Sequence, residues 1–186
     1  MATTNNRQPT VATGMLADDH SELEKLIHEL LGALDQENKS RSFELLDLLW
    51  ARLAVHIRAE HLCLFPSILG AVRVSSTESG DSPQYDEAKR QIDLLRRDHD
   101  FFMGELGTAV NHMRKQKRSD HDVIGKHLLD VRHSVAKVKS RLDTHNQLEE
   151  NHVYKWVNQL LDQEKLAALT ARIRHEIENM PPRFTV

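Results

Sequence analysis

The stretch Leu53-Ala54-Val55-His56-Ile57-Arg58-Ala59-Glu60-His61-Leu62-Cys63-Leu64-Phe65-Pro66 sets a histidine and a glutamate four residues apart in an otherwise apolar helical run. Four residues of α-helix turn about 400°, so His56 and Glu60 leave the same face, roughly 6 Å apart along the axis. A ring nitrogen and a carboxylate at that separation can each bind a metal ion buried beside the helix. The pattern recurs at His145-Asn146-Gln147-Leu148-Glu149. Each pair follows a segment with one more histidine on its apolar face, His20 before the first and His99 before the second.

Outward from these pairs, the 3–4 spacing of a buried stripe runs through four long segments. Leu16, His20, Leu23, Ile27, Leu30 and Leu34 mark the first, and Leu46, Leu49, Leu53, His56, Glu60 and Leu64 the second. The third, over residues 85–117, carries Ile92, Leu95, His99, Phe102, Leu106, Val110 and Met113. The fourth begins near Asp120 or Asp122 and carries Leu128, Val131, Val135, Val138, Leu142, His145, Glu149 and Val153. Asp18 or Asp19 is placed to cap the first helix. Pro66 is expected to kink or end the second, with a short further turn over residues 68–72. Residues 36–40 and 75–83 (SSTESGDSP) read as turn and loop, and 115–118 as a basic, solvated helix end. Residues 163–180 read as an amphipathic tail helix stopped by Pro181 and Pro182. The fold predicted is all-α: an antiparallel four-helix bundle over residues 15–180 with a short extra C-terminal helix, a flexible arm at 1–14 and a tail at 181–186.

Composition excludes several classes. A length of 186 residues fits one domain with a sizeable core, and only seven Gly and five Pro leave room for long helices. A formal net charge of -3 makes no electrostatic case for nucleic acid or an anionic membrane surface. No apolar run is long enough to span a bilayer, and the N-terminus lacks a secretory pattern. The single Cys63 excludes an internal disulfide framework and suits a reducing cytosol, so a cytoplasmic protein is expected. Twelve histidines are many for this length, and imidazole is the commonest biological metal ligand.

The order histidine, then His-xxx-Glu, occurs twice, and Phe65 and Tyr154 each stand nine residues past the pair's histidine. This predicts a pseudo-twofold bundle around one shared site. Burying His20, His56, Glu60, His99, His145 and Glu149 without compensation would be costly. Two cations meet that cost: each takes two histidines, and the glutamates bridge, giving one oxygen to each ion. Too few donors remain to fill two octahedra, which leaves positions for a small ligand. Iron fits this donor set best, with manganese and zinc as alternatives.

The residues His20, His56-Ile57-Arg58-Ala59-Glu60, His99 and His145-Asn146-Gln147-Leu148-Glu149, with LCLFP after the first pair and EENHVYKW around the end of the second, resemble the hemerythrin-like family, also called the HHE cation-binding domain. The resemblance covers about residues 16–180. It implies a four-helix bundle holding two iron ions, an oxo- or hydroxo-bridged non-haem di-iron centre. It also implies oxygen, nitric oxide or peroxide as ligand, or a role in sensing or handling iron. Oxygen-carrying members place two histidines on the third helix. Here Leu95 and Met103 stand one turn from His99, which argues against reversible carriage. The second half keeps an adjacent pair, Glu149-Glu150, but the first reads Glu60-His61, and His61 is the best candidate for a fifth histidine ligand.

Further residues could serve the site. Asp19, Asp98 and Asp143 lie near ligand histidines and could hold imidazole N–H groups, although a cap or solvated surface is the plainer reading of each. Glu24 could reach the site from His20's helix but reads as surface. His152, with Glu149, makes a Glu-x-x-His that points to ferritin-like proteins, a pattern that Glu60 and Cys63 do not repeat. Phe65, Phe101, Phe102, Tyr154 and Trp156 could line a gas-sized pocket, though core packing accounts for each. Leu166, Leu169 and Ile173 on the tail helix either cover the bundle or make a homodimer contact. The functional expectation is a binding or sensing module. The alternatives are a di-iron enzyme with catalase-like, peroxidase-like or nitric-oxide-reducing activity, and an iron-handling protein.

Overall fold

The computed structural model describes residues 10–75, 83–116 and 121–181, and every regular element among them is helical. They form α1 (Val11–Asp35), α2 (Lys39–Ala59), α3 (Phe65–Ser75), α4 (Tyr85–Gln116), α5 (His121–Leu148), α6 (Tyr154–Leu160) and α7 (Gln163–Glu178). One turn of π-helix, Glu60–Leu64, joins α2 to α3, and a second, Glu149–Val153, joins α5 to α6. Residues 76–82, where a loop is expected, the residues at 117–120 that include the expected cap Asp120, the first nine residues and the last five lie outside the described residues.

The apolar stripes account for the packing. α1 packs on α2 and α5, and α4 packs on the same two helices, so four long helices close a ring. Every apolar stripe residue read from the sequence is buried. They divide into two clusters. One holds Leu23, Ile27, Leu46, Leu49, Leu53, Phe102, Leu106, Val135 and Leu142. The other holds Leu16, Leu64, Phe65, Ile92, Leu95, Val153, Tyr154 and Trp156. The buried histidines of the stripes lie between the two clusters in sequence on every one of the four helices. Along the chain, α1 passes from the second cluster to the first, α2 returns, α4 repeats the outward course and α5 returns again.

Several boundaries differ from the sequence expectation. α1 starts at Val11, not after residue 14, because the Thr10 hydroxyl accepts from the Thr13 N–H and caps it there. Asp19 is therefore no cap; it is buried in mid-helix. α2 starts at Lys39, capped by Asn38, so the turn is shorter than residues 36–40. Pro66 neither ends nor interrupts the helical course. The preceding π turn has already shifted the backbone pairing, with the Phe65 N–H donating to the Glu60 carbonyl five residues back. A proline also leaves the carbonyl four residues earlier without its donor. That carbonyl, Leu62, accepts instead from Arg172 of α7.

α7 starts after the cap Asp162 and is held on the outside of the ring. Arg58 of α2 donates to the Glu176 carboxylate at 2.6 Å and to the Glu176 and Asn179 carbonyls. Leu169 and Ile173 are buried within this chain, so they cover the bundle. Among the described residues no helix is long and apolar enough to cross a membrane.

Leu53 is buried in the first cluster and Leu129 is exposed on α5. Leu53→Ala is expected to cost about 2–5 kcal/mol in urea unfolding, and Leu129→Ala to stay within about 0.5 kcal/mol. Equal losses would contradict the assignment of the core face.

Candidate metal centre

All six stripe residues meet in one layer. The Nε2 atoms of His20 on α1 and His56 on α2 lie 3.1 Å apart, and those of His99 on α4 and His145 on α5 lie 3.0 Å apart. Glu60 stands between the pairs, with Oε1 3.5 Å from His56 Nε2 and Oε2 3.2 Å from His99 Nε2. Glu149 mirrors it, with Oε2 3.2 Å from His20 Nε2 and Oε1 3.3 Å from His145 Nε2. Two overlapping groups of four result, His20 with His56, Glu60 and Glu149, and His99 with His145, Glu60 and Glu149. The potential ligand atoms within each group lie within 4.8 Å of one another. Each carboxylate thus offers one oxygen to each histidine pair.

The other ring nitrogens all point outward to a partner. Asp19 Oδ2 holds His56 Nδ1 at 3.0 Å and Asp98 Oδ2 holds His145 Nδ1 at 3.3 Å. Arg52 donates to Asp19 at 2.5 Å and Arg141 to Asp98 at 2.7 Å. Glu150 Oε1 holds His20 Nδ1 at 2.9 Å, and His61 Nε2 lies 2.9 Å from His99 Nδ1. Such bonds fix the orientation of a ligand histidine and leave Nε2 free to face a metal. These four contacts join α1 to α2, α4 to α5, α1 to the turn after α5, and α4 to the turn after α2.

The π turns explain the last two contacts. Each begins on the buried glutamate, and the N–H of Phe65 or Tyr154 reaches back to the carbonyl of Glu60 or Glu149. A π turn advances each residue by less rotation than an α turn. His61 and Glu150 therefore stay at the edge of the layer. The candidate ligand His61 lies in neither group of four; it contacts His99 and the Phe65 ring at the edge of the layer.

Aromatic rings close the layer. Tyr154 stacks on His20 with centroids 5.9 Å apart, and Phe65 stacks on His99 at 6.1 Å. Phe102 meets His145 edge-on at 5.2 Å. Phe101 is half-buried beneath the Arg141 guanidinium, and Trp156 packs in the second apolar cluster. The Tyr154 hydroxyl lies 3.3 Å from His20 Nε2, 3.4 Å from Glu60 Oε1 and 3.5 Å from Glu149 Oε2.

Other candidates fall elsewhere. His28, Glu24 and Asp143 are exposed, the last beside Lys139. His152 is exposed, so the Glu-x-x-His pattern does not assemble. Leu95 and Cys63 are core residues and Met103 packs partly buried on the first cluster. Arg52 and Arg141 are additions that the spacing of ligands did not suggest. The signal was present: each stands four residues before the histidine of its pair.

The residues present fit a pair of cations. Glu60 Oε2 and Glu149 Oε1 are buried without a hydrogen-bond partner, and both face the histidine nitrogens. Burial alone would push the His56 and His145 pKa values down. The carboxylates of Glu60 and Asp19 nevertheless hold His56 well above its ordinary value, and those of Glu149 and Asp98 raise His145 to about 9. Burial likewise opposes charge on the glutamates, yet the adjacent histidines lower both Glu60 and Glu149. The layer attracts positive charge, and without metal it takes protons. Burial and the same two glutamates raise Tyr154, which keeps its proton. No family model matches the chain, and no curated protein matches it.

These shifts give a pH profile. The raised histidines stabilise the metal-free fold fully below their ordinary pKa of about 6.5, and His145 loses that contribution as pH rises through about 9. The lowered glutamates contribute above about 4.3 and lose it in acid. Chelator-treated protein is expected to melt highest between about pH 4.5 and 6.5 and progressively lower toward pH 9. Bound metal replaces the protons and removes the alkaline fall. Identical profiles with and without chelator would contradict the assignment.

Proposed function

We propose that this chain is a hemerythrin-like protein, an antiparallel four-helix bundle whose central layer holds a non-haem di-iron centre that binds or senses oxygen, nitric oxide or hydrogen peroxide. The observation that carries this reading is the pair of buried glutamates, each with one oxygen against each histidine pair. The reversals of α1, α2, α4 and α5 between the two apolar clusters support the antiparallel arrangement. Iron fits a mixed imidazole and carboxylate donor set. With two ring nitrogens and two carboxylate oxygens apiece, each ion would have fewer donors than an octahedron takes. When bound, the iron pair supplies electron transfer and open coordination positions for a small molecule. The chain's own residues do the rest. Asp19, Asp98, Glu150 and His61 hold the rings in place, and Phe65 and Phe102 keep the layer apolar at its edges. Leu95, packed in the apolar cluster, supplies no fifth ligand from α4. That shifts the reading from carriage towards sensing or turnover.

A second reading, turnover of peroxide or nitric oxide, is favoured by Tyr154. Its hydroxyl keeps its proton and stands within 3.5 Å of both glutamates, where it can donate to a small ligand in the layer.

Metal analysis after iron-replete expression is expected to give about two ions per chain. His56→Ala and His145→Ala lose metal, and the exposed His28→Ala keeps it; equal loss in all three would refute the centre. Reduction without oxygen, followed by air, separates the readings. A sensor or enzyme oxidises promptly, whereas a stable adduct band identifies a carrier. Oxygen release from added peroxide that falls in Tyr154→Phe with iron content unchanged selects the enzymatic reading.

A further inference from the structure

One more set of metal-binding side chains meets far from the central layer. His112 lies near the C-terminal end of α4, and His127 and Asp130 lie in the N-terminal part of α5. One ligand atom from each lies within 4.8 Å of the others. His112 is more than three helical turns beyond His99, and His127 about five turns before His145, so the two sites share no residue.

The three side chains have more donor capacity than the protein uses. Nδ1 of His112 and Nδ1 of His127 are both shielded from solvent, and neither has a hydrogen-bond partner. His112 Nδ1 approaches Asp130 Oδ2 at 3.4 Å, which sets one ring against the carboxylate and leaves Nδ1 of the other without a hydrogen bond. The rings meet edge-on with centroids 5.8 Å apart. A divalent ion satisfies both rings by taking one nitrogen from each and one oxygen from Asp130. His127 and Asp130 are three residues apart and share a helix face, and His112 approaches from across the hairpin.

We propose that His112, His127 and Asp130 form a separate mononuclear metal site that takes zinc. Two imidazoles and a carboxylate are a zinc donor set, and a tetrahedral ion completes its shell with one water. The half-exposed positions of His112 and Asp130 give the ion and that water access. Bound zinc joins α4 to α5 at the end of the hairpin, where the apolar stripe is finishing at Met113 and Leu128. The site does not depend on what the central layer holds.

The test is equilibrium dialysis of the full chain against zinc buffered at low free concentration. Native protein is expected to bind one zinc more than His112→Ala and one more than His127→Ala, whatever the central layer contributes to all three. Asp130→Asn keeps the side-chain volume and is expected to lose the same equivalent or hold it more weakly. His133→Ala, exposed on α5 nearby, should match the native count. Zinc should also raise the melting temperature of native protein more than that of the three site variants. Equal zinc counts in native protein and the site variants, or an equal loss in His133→Ala, would overturn the proposal.

Discussion

Two carboxylates buried at the centre of a helical bundle are the constraint on which the rest depends. Glu60 and Glu149 have no exposed surface, and each leaves one inward oxygen without a hydrogen bond. A buried charge of this kind is tolerated only beside compensating positive charge. Four imidazoles surround the pair, and the carboxylates raise the pKa values of His20, His56 and His145 against the effect of burial. The apolar clusters on either side exclude water and sharpen that demand, because charges interact more strongly in a medium of low polarity.

The same layer also fixes how the helices sit. Each of the four ring nitrogens facing away from the centre bonds to the neighbouring helix or the turn that follows it. The four long helices are thus tied in a cycle by polar contacts as well as by apolar packing. Arg52 and Arg141 balance the two aspartates in this cycle, so the buried anions outside the layer do not compete with it for cations.

Much of this was legible in the sequence because two simple rules act together. Apolar residues every three or four positions mark the core face, and a histidine or glutamate on that face has to be compensated. Those rules placed all six central residues and every apolar stripe. They failed where local backbone chemistry decides. Nothing in the periodicity marks a π turn, so neither the contact of His61 with His99 nor the continuation of the helix past Pro66 could be read from it. Asp19 looked like a cap because aspartate is common there; its burial follows from His56 and Arg52, which are distant in sequence. The arginines stayed hidden because a charged residue on a helix usually faces water, and only the second copy of the spacing singles them out.

The two copies are not equal, and the differences all fall in one sense. The half built on His20 and His56 carries the Glu150 carboxylate outside it and the Tyr154 hydroxyl over it. The half built on His99 and His145 has the His61 imidazole and the Phe65 ring at the matching places, with Arg96 above that ring. Burial, His99 and Arg96 hold the His61 pKa below its ordinary value. A near-symmetrical cluster thereby acquires a polarity, with a carboxylate and a hydroxyl at one end and an imidazole and an apolar ring at the other. A small ligand of the proposed centre would therefore meet different neighbours at its two ends, a proton-bearing hydroxyl beside His20 and an apolar ring beside His99.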